Sequence, residues 1–128
     1  MSENTHRYEA GLRVRREVVG AEYVSRALAD ADEFTAPLQE LVTEFCWGAI
    51  WTRPDLDRRS RSMITLAMLT ALGRPNELAT HVRGALTNGV TPEEIREVLL
   101  QATVYAGVPA GVDAFRVARQ VIEENARA

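Results

Sequence analysis

A chain of 128 residues with 46% hydrophobic and 26% charged residues has the make-up of a globular protein. A chain of that length buries roughly two thirds of the surface it would expose unfolded, and one domain spanning residues 1–128 is expected. The net charge of −3 argues against nucleic acid, which selects a clearly basic face. Met1 to Glu9 is polar throughout, and no run approaches the roughly eighteen apolar residues of a membrane span. Neither a secretion signal nor a membrane partner is therefore expected, and the expected location is the cytoplasm.

Apolar spacing reads as helix along nearly the whole chain. Arg7 to Val19 sets Leu12, Val14, Val18 and Val19 among arginines, and Gly20 ends it. Ala21 to Ala29 forms a short second segment around Tyr23, Val24 and Leu28. Thr35 is placed to cap a longer helix through Leu38, Leu41, Val42 and Phe45, running to Trp51 and stopping before Pro54. Asp57 caps the next, in which Met63 to Leu69 is apolar on most sides, the pattern of a central helix, and Gly73 closes it.

Pro75 opens a helix carrying Glu77, Leu78, His81, Val82, Ala85 and Leu86, which ends at Asn88-Gly89. Thr91-Pro92-Glu93-Glu94 is a complete capping box, followed by a stripe of Ile95, Val98, Leu99, Ala102 and Tyr105. Gly107-Val108-Pro109 breaks the pattern, and a last helix is expected from Ala114 to Glu124. No window alternates with period two. The fold class is all-α, a compact bundle of about six or seven helices.

The inventory of reactive side chains is narrow. Cys46 is the single cysteine and there are two histidines, His6 and His81, so a disulfide, a cysteine-rich metal site and a histidine-rich zinc site are all unexpected. Phe45 and Trp47 flank Cys46 and suggest a buried thiol. All fifteen basic residues are arginine. Without lysine, Schiff-base chemistry and biotin attachment are closed, while bidentate grips on carboxylates remain open.

His81 is the one histidine inside a patterned helix. Glu77 lies one turn earlier on the same flank, and Gly84 and Ala85 one turn later leave room beside the ring. That combination suits an acid–base group. On pattern alone, a histidine tied to a carbonyl at a helix contact is the more common case. Arginines on the first helix (Arg15 among them), Arg61 on the central helix and Arg74 before the His81 helix are candidates for holding substrate carboxylates. For any one of them a solvated face or an ion pair is the commoner role. Trp47 and Trp51 read as core or as a subunit contact, with core favoured.

Three stretches carry a resemblance: YEAGLRVRREVVG from Tyr8, FCWGAIWTRPDLDRRSRSMITLAML from Phe45, and ELATHVRGALTNGVTPEEIREVLLQATVYAGVPAG from Glu77. Together the chain resembles the γ-carboxymuconolactone decarboxylases over roughly residues 8 to 122, most specifically from His81 to Gly111. The resemblance implies an all-α, alkylhydroperoxidase D-like fold, a homo-oligomer (hexamer or trimer) and no metal or organic cofactor. It also implies conversion of 4-carboxymuconolactone, a lactone dicarboxylate, to 3-oxoadipate enol-lactone and carbon dioxide in protocatechuate breakdown. His81 and Glu77 become the expected catalytic pair, and Arg15, Arg61, Arg74 and Trp47 the expected substrate-binding residues.

In the related alkylhydroperoxidase D proteins a CxxC pair precedes the histidine. Here Arg74 and Glu77 stand at the two cysteine positions and Ser62 at that of a further glutamate, which removes the disulfide chemistry. Asp113 and Arg116 depart from the Asn and His often found near the last helix, which bears on substrate choice. Other readings from the residues are a decarboxylase or isomerase of another lactone or β-keto acid, and a helical interaction module without activity.

Overall fold

A computed structural model describes residues 3–128, and every regular element among them is helical. Helix α1 spans Glu3–Val19, α2 Ala21–Ala29 and α3 Ala36–Leu41. Without interruption α3 becomes a π-helix over Val42–Ile50. Then follow α4, Arg58–Leu72; α5, Pro75–Thr87; α6, Pro92–Ala106; and α7, Val108–Arg127. The chain divides into two compact units, one ending at Leu56 and one beginning at Asp57. No helix of the described residues is long and apolar enough to cross a membrane.

In the N-terminal unit α1 packs along the π-helix, with α2 beside α1. The crossing is made by glycine. A Cβ on Gly11 would stand 2.1 Å from the Thr43 carbonyl oxygen, and one on Gly48 2.3 Å from that of Arg7. Both positions need hydrogen for the backbones to come this close. Val14, Val18, Val24, Trp47 and Trp51 form the core of this unit, the two indoles lying 4.8 Å apart at 31°. The core reading of the tryptophans holds.

The π turn is one feature that spacing did not announce. Its wider turn brings Thr43, Trp47 and Gly48 to the buried side together, steps of four and five that suit a helix wound more loosely than α. Thr35 does not cap α3 with its side chain. It exchanges hydrogen bonds with Asp32 instead: its N–H donates to Asp32 Oδ1 at 2.9 Å, and the Asp32 N–H donates to Thr35 Oγ1 at 3.0 Å. Cys46, expected buried, is exposed.

The C-terminal unit follows its local signals closely. Asp57 caps α4 by accepting the Ser60 N–H at 2.7 Å, and Gly73 ends it with φ 68°. Thr91 and Glu94 close the capping box of α6 with bonds of 3.0 and 3.1 Å. Arg59 of α4 pairs with Glu94, tying the two helices at that end. Leu66, Leu78, Val82, Ile95, Leu99, Ala114, Ala118 and Val121 make the core.

Two expectations need correcting here. The last helix begins at Val108 rather than Ala114, because Pro109 sits in its first turn, where a missing N–H costs nothing. Gly107, at φ 114°, makes the whole connection to α6. Among the described residues, helix α4 is buried along one side only. Ser62, Leu66 and Thr70 are buried, while Ile64, Met68 and Leu72 are exposed, as are Val104 and Tyr105 on α6.

Candidate active site

Helix α5 carries the expected catalytic pair. Pro75 at its first position fixes the start, and Leu78, Val82 and Ala85 bury one side in the core of the C-terminal unit. His81 lies between these residues and the outer face, half-buried. Glu77 is exposed one turn earlier. Gly84 and Ala85, expected to leave an opening beside the ring, are both buried in the packed side of α5.

Burial governs the electrostatics of His81. Loss of hydration pushes its pKa down from 6.5 to about 4, and the negative charge of Glu77 works in the opposite direction without overcoming it. The free imidazole is therefore neutral at pH 7. The ordinary imidazole that suits proton delivery is not the resting state. Nearby negative charge is what would restore the proton.

The expected arginines fall in different settings. Arg61 is half-buried on α4, next to Ser62, whose Oγ accepts a 2.9 Å bond from Asn88 Nδ2. Arg74 is exposed just before α5, and its carbonyl accepts the Leu78 N–H at 2.9 Å. With Asp113 it borders a small cavity of about 40 Å³ between the α4–α5 turn and α7. Asp113 and Arg116, the two departures on α7, pair with each other at 3.2 Å in the open. A larger groove of about 800 Å³ runs along α6 and α7, lined by Leu99, Phe115 and Arg119 among others. Another, of about 480 Å³, lies along α4 and α6 beside Met68 and Tyr105. His81 lines none of these three.

Arg15 and Trp47 belong to the N-terminal unit. Trp47 is 4% exposed and packed on Trp51. Arg15 is 6% exposed, and its Nη1 donates to Gln39 Oε1 at 3.0 Å and to Thr43 Oγ1 at 3.1 Å. Those two partners escaped the sequence reading. Nothing in local spacing relates Arg15 to positions 24 and 28 residues away. Among the described residues no three His, Cys, Asp or Glu side chains gather as metal ligands would.

An all-α chain with a half-buried, neutral histidine beside a glutamate has the makings of an acid–base enzyme, and comparison with known proteins makes the class specific. Residues 36–120 match the model of the carboxymuconolactone decarboxylase family, a match that runs across both units. A nitrosuccinic acid decarboxylase from Metarhizium robertsii is 46% identical over 117 residues, covering 91% of this chain and 82% of the relative. A 4-carboxymuconolactone decarboxylase from Acinetobacter baylyi is 42% identical over 118 residues, covering 92% and 88%. A 4-carboxymuconolactone decarboxylase from Pseudomonas putida is 40% identical over a shorter match of 42 residues, a third of this chain. The chain is a carboxy-lyase. It belongs to the carboxymuconolactone decarboxylase family.

Proposed function

We propose that the chain decarboxylates 4-carboxymuconolactone to 3-oxoadipate enol-lactone, with His81 delivering the proton. The observation that carries this reading is the setting of His81 on α5: half-buried against the core of the C-terminal unit, one turn after Glu77, with desolvation lowering its pKa and Glu77 opposing that. The bond that breaks joins the leaving carboxylate to the lactone ring. Its electron pair moves through the conjugated double bond into the lactone carbonyl, giving a dienolate, and carbon dioxide departs. A proton added to carbon then completes the enol-lactone. Because the substrate holds its own electron sink, the protein has three tasks: to hold two carboxylates, to stabilise the oxyanion and to supply one proton.

The dianionic substrate bears directly on the third task. Carboxylates brought near His81 favour the imidazolium by Coulomb attraction, so binding itself would draw a proton onto the ring. Glu77 adds to the same effect. Arg61 and Arg74, in the same unit, are candidates for the carboxylate and oxyanion contacts.

A second reading is favoured by the 46% identity to the nitrosuccinic acid decarboxylase. Loss of the carboxylate next to a nitro group places the electron pair in the nitro group as a nitronate. The demands on the protein are the same: two carboxylates, an oxyanion and one proton. Incubation with each compound separately, following carbon dioxide and product by NMR, separates the two. We expect 4-carboxymuconolactone to be turned over with the higher kcat/KM by about 10²-fold or more, since two compounds so different in shape are discriminated by many contacts. The reverse order assigns the nitro substrate, and no turnover of either overturns the reading.

We also infer a homo-oligomer, hexamer or trimer. Ile64 is 46%, Met68 51%, Leu72 65% and Tyr105 85% exposed on the C-terminal unit, a run of large apolar side chains that a lone subunit would leave in water. Sedimentation at micromolar concentration should show an assembly, and a stable monomer of 14.2 kDa refutes it.

A further inference from the structure

Arg15 is a buried cation with no carboxylate partner among the described residues of the N-terminal unit. Its two hydrogen-bond acceptors, Gln39 and Thr43, are neutral. The groups acting on its charge are the side chains of Tyr23, Cys46 and Tyr8, and no carboxylate is among them. Burial pushes its pKa below the ordinary value, the signature of a charge removed from water.

A carboxylate is close by and is used elsewhere. Glu44 adjoins Thr43 in the π-helix but pairs with Arg7 at 3.5 Å, and Arg7 also lies 5.6 Å from the centre of the Phe45 ring. Two arginines on one helix face the same π segment, and only one receives its acid. A guanidinium held among neutral groups is unfavourable unless something completes it.

The donor geometry indicates what would complete it. Gln39 and Thr43 occupy Nη1 alone. The edge formed by Nε and Nη2 presents two parallel N–H donors, the fork that fits one carboxylate bidentately. Because Nη1 is already anchored on both sides, the fork is held in place before a ligand arrives, which lowers the ordering cost of binding.

We propose that Arg15 is a carboxylate-binding subsite of the N-terminal unit, taking one carboxylate of a small dicarboxylate through Nε and Nη2. The inference rests on the decarboxylase reading only for the kind of molecule that carries the carboxylate.

Adipate is a suitable probe, with adipamide as its uncharged match, both titrated into the full-length protein by calorimetry at constant ionic strength. Adipate should bind and adipamide should not. Arg15→Lys, which keeps the charge and loses the fork, should weaken adipate binding by about tenfold or more, and Arg15→Gln should abolish it. Arg119→Gln, on exposed α7, should leave it unchanged. In the unsubstituted protein adipate should also shift the Arg15 Nε–H resonance, a readout that needs no variant. Adipate binding unaltered in Arg15→Lys, or an Arg15 Nε–H signal that does not move, overturns the proposal. If adipate engages Arg15 while neither 4-carboxymuconolactone nor nitrosuccinate is turned over, the subsite stands and the substrate assignment falls.

Discussion

Replacing His81 by Gln is expected to lower the decarboxylation rate per folded molecule by about 10²–10⁴-fold, the range for a positioned acid–base group. Glutamine keeps hydrogen-bonding capacity and comparable bulk but cannot take up and release a proton at carbon. Loss should therefore fall on kcat rather than on KM, because substrate binding survives and the protonation step does not. Glu77→Gln should reduce the rate less. It removes the charge that favours the imidazolium and leaves the imidazole in place, so the optimum of kcat should also move to lower pH. Rates normalised to folded protein, with folding followed by circular dichroism, separate this from simple destabilisation. A folded His81→Gln protein with near-normal kcat removes His81 from the chemistry.

Acidification should destabilise the protein through the same residue. The folded pKa of His81, about 4, lies below the unfolded value of 6.5, so between these values the unfolded chain binds a proton that the folded chain refuses. Well above pH 6.5 both states are neutral at this position and it contributes no pH dependence. As pH falls from 6.5 towards 4, the folded state loses up to about 3 kcal/mol relative to the unfolded one. Carboxylates titrate in the lower part of this range too, so the test is a difference: unfolding free energies of the unsubstituted protein and of His81→Gln, measured from pH 7.5 to 4.5. The gap between them should change with acid in favour of the variant, by about 2 kcal/mol or more at pH 4.5. Parallel curves contradict a desolvated, neutral His81. A saturating dicarboxylate should raise the transition, since its charge favours the proton that burial disfavours.

The reach of the sequence follows from how local each determinant is. The starts of α4 and α6 were legible because a cap and its partner lie three residues apart, as in Asp57 with Ser60 and Thr91 with Glu94. The stop at Gly73 was legible because a left-handed residue suits glycine. The absence of lysine excluded whole reaction types without any structure. The stretch from His81 to Gly111 pointed to a family that matching over residues 36–120 then established.

What the tertiary structure decided depends on residues far apart in the chain. The π turn at Val42–Ile50 answers to α1, whose backbone meets it at Gly11 and Gly48, and no spacing within the turn announces that crossing. Arg15 is one of several arginines on the first helix, and only its bonds to Gln39 and Thr43 set it apart as a buried cation. His81 has the same residue type and helix position either way. Only the packing around α5 removes its water, and that loss of hydration, partly opposed by Glu77, takes an ordinary imidazole to a pKa of about 4. Local hydrogen bonds and residue chemistry can be read along a chain, whereas desolvation is the sum of everything that folds against a group.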